Sequence, residues 1–313
     1  MSTRRHLLIG SGAALALGSC QASPSRMRGD VVAAGQPAAL LVWAVARDRL
    51  AGWPRKPGPG TLAALPPLAG TLPELGAMAS GGGRPADLEA IAALRPRLVM
   101  DYGDTDPSYK ALADRMTERL GVEWRLLDGA LASVPDAIRQ ASGILEVERA
   151  TEPLVAEAAD ILRRWQDAPA GPSFYYARGT DGLETGFRGA LATEVLEGAG
   201  WTNVAEGSED IGRVEREQVV TWDPEAIVTL DAAFAATALR EPAWKWRRDG
   251  SRRRVLLLPA LPFGWIDRPP SINRLLGCAW LAGPGDEPIA LASLQRRLYG
   301  FAPVEVPLPQ WIA

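Results

Sequence analysis

The sequence predicts an α/β protein of two lobes joined by one long helix, and three observations carry the prediction. The stretch from Thr151 to Trp165 places Leu154, Ala158, Ile161, Leu162 and Trp165 on one helical face and Glu152, Glu157, Asp160 and Arg164 on the other. On both sides of it the chain repeats a pattern of apolar strand, Gly or Pro break, then helix. One such unit, Asp87 to Val99, is nearly copied from Arg216 to Val228. Thr151 reads as the N-cap of the joining helix. Pro153 then falls in its first turn, where the missing N–H costs nothing, and Arg163 and Arg164 meet the negative end of the helix dipole. At 1.5 Å per residue this helix is roughly 22 Å long, enough to cross between two small domains.

The 313 residues, 47% hydrophobic and 23% charged, have the composition of an ordinary globular chain. A formal net charge of −3 argues against nucleic acid as a partner, which calls for a concentrated basic patch. The one basic cluster, Arg247, Arg248, Arg252, Arg253 and Arg254, reads as a solvated turn around Asp249 and Gly250. Residues 1–20 read as a targeting segment: Arg4 and Arg5, an apolar run from Leu7 to Leu17 too short to span a bilayer, then Leu17-Gly18-Ser19-Cys20. The first part resembles a twin-arginine export signal. The last four residues resemble a bacterial lipobox, which implies that Cys20 becomes the lipidated first residue of a periplasmic, membrane-anchored lipoprotein. Residues 21–30 follow as a tether. Removing residues 1–19 takes Arg4 and Arg5 from the 34 basic side chains, leaving 32 against 37 acidic and a net charge of −5. It also removes His6, the only histidine. With Cys20 acylated, Cys278 has no partner for an intrachain disulfide and reads as a core residue of the apolar run Leu275 to Leu281.

Along the mature chain, Asp30 to Gly35 reads as a first strand. Gln36-Pro37 opens a helix carrying Leu40, Leu41, Ala44 and Val45, and Leu50 to Trp53 reads as the next strand. Pro54 to Pro67, dense in Pro and Gly, is expected to be irregular and at the surface, and Leu68 to Leu75 fits no pattern. Gly81-Gly82-Gly83 is a turn with no Gly-Lys-Ser/Thr after it, so no phosphate-binding loop is expected. Asp87 to Leu94 is a helix stopped by Pro96, and Leu98 to Met100 a strand delivered to the polar loop Asp101 to Pro107. A helix from Tyr109 to Leu120 ends at Gly121. Trp124 to Leu127 is a strand, and a helix from Pro135 to about Leu145 precedes the joining helix. Then the pattern restarts: strand Ser173 to Tyr176 with the loop Arg178 to Gly182, helix Leu191 to Ala199, helix Glu215 to Trp222, strand Ala226 to Leu230 ending at Asp231, and strand Val255 to Leu258. A Pro-rich loop from Pro259 to Pro270 leads to helices from Ile272 to Leu281 and from about Ile289 to Leu298. The expected division is an N-terminal lobe over 31–132, connecting helices over 133–168 and a C-terminal lobe over 169–313.

The doubled block, one copy per lobe with a helix between, resembles the helical-backbone substrate-binding proteins of bacterial ABC importers for ferric siderophores, haem and cobalamin. Leu261 to Leu281, with Phe263-Gly264-Trp265 and Pro269-Pro270-Ser271-Ile272-Asn273-Arg274-Leu275-Leu276-Gly277, looks most like the iron-complex branch. The resemblance implies two Rossmann-like α/β lobes on a rigid helix, a ligand cleft between them and little hinge closure. It implies no enzyme and no resident cofactor or metal, but a small-molecule ligand, with an ABC permease and its ATPase as partners and the protein acting as a monomer. In that family each lobe offers an exposed Glu to arginines of the permease, and the matching positions are Glu89 and Glu217, each seven residues before its helix-stopping Pro. The alternative for each is a first-turn acid that stabilises its helix dipole. Proteins that bind bare zinc or manganese use histidine-rich sites, which the mature chain lacks, so a chelated metal or an organic ligand is favoured.

Strand ends facing the cleft would present Gln36, Trp53, Arg55, Tyr102, Asp104, Tyr176, Arg178, Asp231 and Trp265. Arginine supplies a planar donor fork for carboxylate, catecholate or hydroxamate oxygens, and aromatic rings supply apolar walls. Packing into a lobe core is the competing reading for Trp43, Trp53 and Tyr175, and Glu184, Phe187 and Arg188 line either the cleft or the loop before Leu191. The rival function is an enzyme on a similar scaffold. Nucleophile-and-histidine catalysis lacks its base once His6 is removed. The acids Asp101, Asp104 and Asp106 remain as a carboxylate pair, or, more simply, as a turn with a helix cap.

Overall fold

The structure, a computed structural model, describes residues 29–78, 84–283, 287–301 and 307–312. The targeting segment with Cys20, most of the tether and the Gly81-Gly82-Gly83 turn lie outside these residues. In chain order the elements are β1 (Val31–Ala33), α1 (Gln36–Ala46), α2 (Pro59–Ala63), α3 (Leu68–Thr71), α4 (Leu88–Ala93), β2 (Leu98–Gly103), α5 (Pro107–Leu120), β3 (Glu123–Asp128), α6 (Val134–Ile144) and α7 (Glu148–Gln166). The second half contributes β4 (Ser173–Ala177), β5 (Glu184–Gly186), α8 (Glu194–Glu197), β6 (Thr202–Asn203), β7 (Ile211–Arg213), α9 (Arg216–Trp222), β8 (Ala226–Thr229), α10 (Ala232–Ala238), α11 (Pro242–Lys245), β9 (Arg254–Leu257), α12 (Arg274–Leu281), α13 (Glu287–Tyr299) and β10 (Gln310–Ile312).

Two sheets result. The first is parallel, in the order β1-β2-β3, with Val31 opposite Leu98 and Leu98 opposite Glu123. The second has the order β10-β9-β8-β4-β6, parallel except for the edge strand β10. Strands β1, β2 and β8 are almost wholly buried, as expected where helices cover both faces of a parallel sheet. A separate antiparallel ribbon pairs β5 with β7 beside the end of β4.

The doubled block is repeated in backbone detail as well as in sequence. Each copy is a short helix, α4 or α9, closed by a residue in the left-handed region, Arg95 (φ 50°) or Asp223 (φ 49°). Each is followed at once by Pro96 or Pro224 and two residues later by β2 or β8. The N-termini are capped by different means. Asp87 accepts from the Ala90 N–H, whereas Glu215 and Gln218 form a reciprocal capping box.

Four expectations are corrected. The joining helix begins at Glu148, so it is 19 residues and roughly 28 Å long, and Thr151 lies inside it. Thr151 is buried, and its hydroxyl donates to Ser142 Oγ at 2.6 Å, tying α7 to α6 instead of capping a helix. Pro153 is therefore interior, on an exposed turn where its missing N–H leaves a carbonyl to water. Leu50 to Trp53 is no strand: Leu50 bridges to Val31 of β1, and Trp53 bridges to Glu74, outside the sheet. The Pro- and Gly-rich stretch from Pro54 to Pro67 carries a short helix, α2, while α3 forms in the patternless stretch after it, and the helix expected from Leu191 shrinks to α8.

The two lobes share one apolar core. A continuous buried cluster runs from Leu40, Trp43 and Trp53 through α6 and α7 to Phe263, Leu275, Leu294 and Tyr299. Trp43 and Trp53 lie 5.2 Å apart, Phe263 packs on both Trp53 and Tyr299, and Trp43 Nε1 donates to the Tyr299 carbonyl at 3.2 Å. Aromatic pairs of this kind contribute about 0.5–1.5 kcal/mol each beyond burial, so the lobes are joined by side-chain packing as well as by α7.

Candidate functional site

The carboxyl ends of both sheets face the junction between the lobes. This follows from which residues touch across it. Pro37, just beyond β1, accepts from Ser271 Oγ through its carbonyl at 2.7 Å. Gly129, just beyond β3, accepts from the Arg274 guanidinium. Pro262, in the loop after β9, accepts from Thr61 Oγ1 at 2.9 Å. Strand ends at a junction of this kind are where open α/β sheets bind ligands.

The expected site residues separate into two groups. Trp53, Tyr176 and Trp265 are 0% exposed and Tyr102 is 2% exposed, so they lie beneath the junction rather than on it. Their large rings fill the core between the lobes, with Trp53 Nε1 donating to the Ala69 carbonyl at 3.0 Å. Trp43 and Tyr175 are likewise buried, Tyr175 stacking on Trp244 at 6.1 Å. The residues that reach solvent are polar. Gln36, at the start of α1, is half-buried, and its Oε1 accepts from the Arg55 N–H at 3.1 Å. The Arg55 side chain is exposed and has no hydrogen bond or ion pair among the described residues. Asp104 is exposed and accepts from the Asp106 N–H, and Asp231 caps α10 by accepting from Ala233 and Phe234. Glu89 and Glu217 are both exposed and are both the second residue of their helices.

Arg178 is already paired. Its guanidinium meets Asp267 at 2.8 Å and Glu184 at 3.0 Å, and the side chain is 16% exposed. Asp267 is itself 2% exposed, accepting from Tyr176 Oη at 3.0 Å and from the Arg268 N–H at 2.7 Å. Burial, and then the neighbouring Asp267 carboxylate, push the Tyr176 phenol well above its ordinary pKa, so it remains a proton donor at any physiological pH. Beside this cluster lies a concavity of about 400 Å³ lined by Gly179, Thr180, Asp181, Glu184, Ile211, Gly212 and Arg213, with Arg213 paired to Asp181. Phe187 is buried, and Arg188 donates to the Asn203 carbonyl and pairs with Glu206.

Three polar residues at the junction escaped the sequence reading. Arg274 is 0% exposed, pairs with Glu194 at 2.6 Å and donates to the Ser271 and Gly129 carbonyls, while Glu194 also accepts from the Leu131 N–H. The pair therefore holds both lobes. Gly129 makes this possible by packing against Gly103, where a Cβ would come within 2.7 Å of backbone. A cation inside an otherwise apolar helical run was the available signal, since Arg is fully buried almost only when paired. Asp267 had a weaker one, an acid next to Arg in a Pro-rich loop. Among the acids 101–106, Asp106 caps α5, Asp104 caps its turn and Asp101 is buried against the Tyr102 N–H, an arrangement of caps and not of paired catalytic carboxylates.

No protein-family model and no curated protein sequence matches the chain. Among solved structures the fold recurs in an ABC transporter solute-binding protein from Sulfurospirillum deleyianum, with 22% identity, a TM-score of 0.76 and coverage of 90% of this chain and 91% of that one. It recurs in the molybdate periplasmic binding protein MolA of Haemophilus influenzae, solved with molybdate, at 16% identity, TM-score 0.67 and 90% and 95% coverage. A periplasmic haem-binding protein from Pseudomonas aeruginosa shares 22% identity over 92% and 99% of the two chains at a TM-score of 0.54. The chain thus shares the fold of these periplasmic solute-binding structures.

Proposed function

We propose that the chain is the solute-binding component of an ABC importer, exported to the periplasm, lipid-anchored at Cys20, and capturing an anionic, siderophore-like iron chelate between its lobes. The observation that supports this reading is the division at the junction, where the rings are buried and the exposed side chains near the strand ends are polar, with Arg55 a cation that has no ion pair among the described residues. A planar guanidinium supplies a donor fork for carboxylate, catecholate or hydroxamate oxygens. The ligand is delivered to a permease that its ATPase drives, with Glu89 and Glu217 as the docking pair, and the protein works as a monomer.

A second reading, a compact oxyanion of the kind named for MolA, is favoured by the same burial of Trp53, Tyr176 and Trp265. Haem and cobalamin stand as the alternatives within the same class, and a haem-binding protein is among the similar structures. Calorimetric titration of purified protein with ferric citrate, ferric catecholate and hydroxamate siderophores, haemin, cyanocobalamin, molybdate and bare zinc tests the proposal. Saturable, salt-sensitive binding of an anionic chelate is expected. Tight binding of bare zinc, with none of the chelates taken up, contradicts it.

A further inference from the structure

We infer that the C-terminal lobe's ligand-contacting cation is Arg268, and that Arg178 is a positioning residue acting through Asp267. The inference rests on the reading of the protein as a receptor for an anionic solute.

Arg178 is a poor anion ligand because two carboxylates already compensate it, Asp267 at 2.8 Å and Glu184 at 3.0 Å. An anion approaching Arg178 would have to displace one carboxylate or lie against both. Arg268 has the opposite character. Its guanidinium has no hydrogen bond or ion pair among the described residues, and the side chain is only half-buried. Its backbone, by contrast, is strongly held. The N–H donates to buried Asp267 at 2.7 Å, and Pro269 and Pro270 follow immediately.

That backbone is also strained. Arg268 has φ +64°, in the left-handed region that an Arg adopts at a cost and a Gly adopts freely. Strain kept at a non-Gly residue whose side chain has no hydrogen bond or ion pair among the described residues points to a use for that side chain.

The position fits such a use. The segment carrying Arg268 touches the N-terminal lobe on either side of it, through Pro262 to Thr61 and through Ser271 to Pro37. Pro37 adjoins Gln36, which binds the Arg55 N–H. Arg268 and Arg55 thus lie on segments that meet across the junction from opposite lobes, and neither side chain has a hydrogen bond or ion pair among the described residues. Asp267 sets where Arg268 sits, and Arg178 with Tyr176 sets where Asp267 sits.

Three variants, with the titration panel repeated on each, test the assignment. Arg268→Gly removes the cation and relieves the left-handed strain, so it should melt no lower than wild type yet bind the wild type's best ligand about ten- to a hundred-fold more weakly, the range for one charge-assisted contact. Arg178→Met, which leaves Asp267 without its cation, should lower both melting temperature and affinity, and Arg178→Lys should restore affinity by returning a charge beside Asp267. Wild-type affinity in Arg268→Gly would overturn the assignment while leaving the receptor reading intact. A wild-type protein that binds no member of the panel would overturn the receptor reading and this inference with it.

Discussion

At the carboxyl end of β2, Asp101 is 7% exposed, and its carboxylate accepts from the Tyr102 N–H at 2.9 Å. Burial raises its pKa above the ordinary carboxylate value, with the Tyr102 hydrogen bond opposing the rise. A folded-state pKa above the unfolded one means that this group's contribution to stability is complete below the unfolded value and is lost as pH rises through the folded value. Asp101→Asn keeps an oxygen for the Tyr102 N–H and has no proton to lose. Its melting temperature relative to wild type should therefore climb as pH goes from about 4 to 7, and a difference that is flat or falling over that range would show that Asp101 is not a buried, reluctantly ionised acid. The residue scale is also where the sequence was least legible. It marked Arg178, Tyr176 and Trp265 as chemically interesting but could not tell a ring at a cleft wall from one in a core, because burial is decided by the opposite lobe. Nor could it show that Arg178 already had partners, since Asp267 is 89 residues away along the chain and meets it only through the fold.

Elements were legible where their signals are local. Helix α5 announces itself with Asp106 as N-cap and Gly121, at φ 63°, as the left-handed stop. The doubled block was legible for the same reason, because helix, stop and strand all lie within 13 residues of sequence. Elements that depend on distant partners were not: the β5–β7 ribbon joins segments about 25 residues apart, and Thr151 reads as a cap in sequence because its partner, Ser142, belongs to the preceding helix. The matched placement of Glu89 and Glu217, each exposed and each second in its helix, carries the docking proposal. Charges at an interface mainly set association rate and register, so Glu89→Arg combined with Glu217→Arg should abolish uptake in cells while ligand affinity is unchanged and stability falls by no more than the few tenths of a kcal/mol that each acid gives its helix dipole. Normal transport by the double variant at matched expression would leave these acids as helix stabilisers only.

Across the whole molecule the organising feature is a junction held on two levels. The shared core of Trp43, Trp53, Phe263 and Tyr299 and the buried Arg274–Glu194 pair lie beneath, and the polar edge with Arg55 and Arg268 lies above. The two-lobed architecture was readable from the alternation of strand and helix on either side of α7, whereas the depth of the contact between lobes was not, since neither half of that core has a local signature. A core continuous across the lobes opposes wide hinge motion, and the proposed function then has a ligand taken up at the edge with both lobes contributing at once. Hydrogen exchange of the protein with and without its best-binding ligand tests this directly. Protection should appear together in residues 35–56 of one lobe and 262–274 of the other, with α5 on the outer face unchanged. Protection confined to one lobe, or falling on α5, would contradict capture between the lobes.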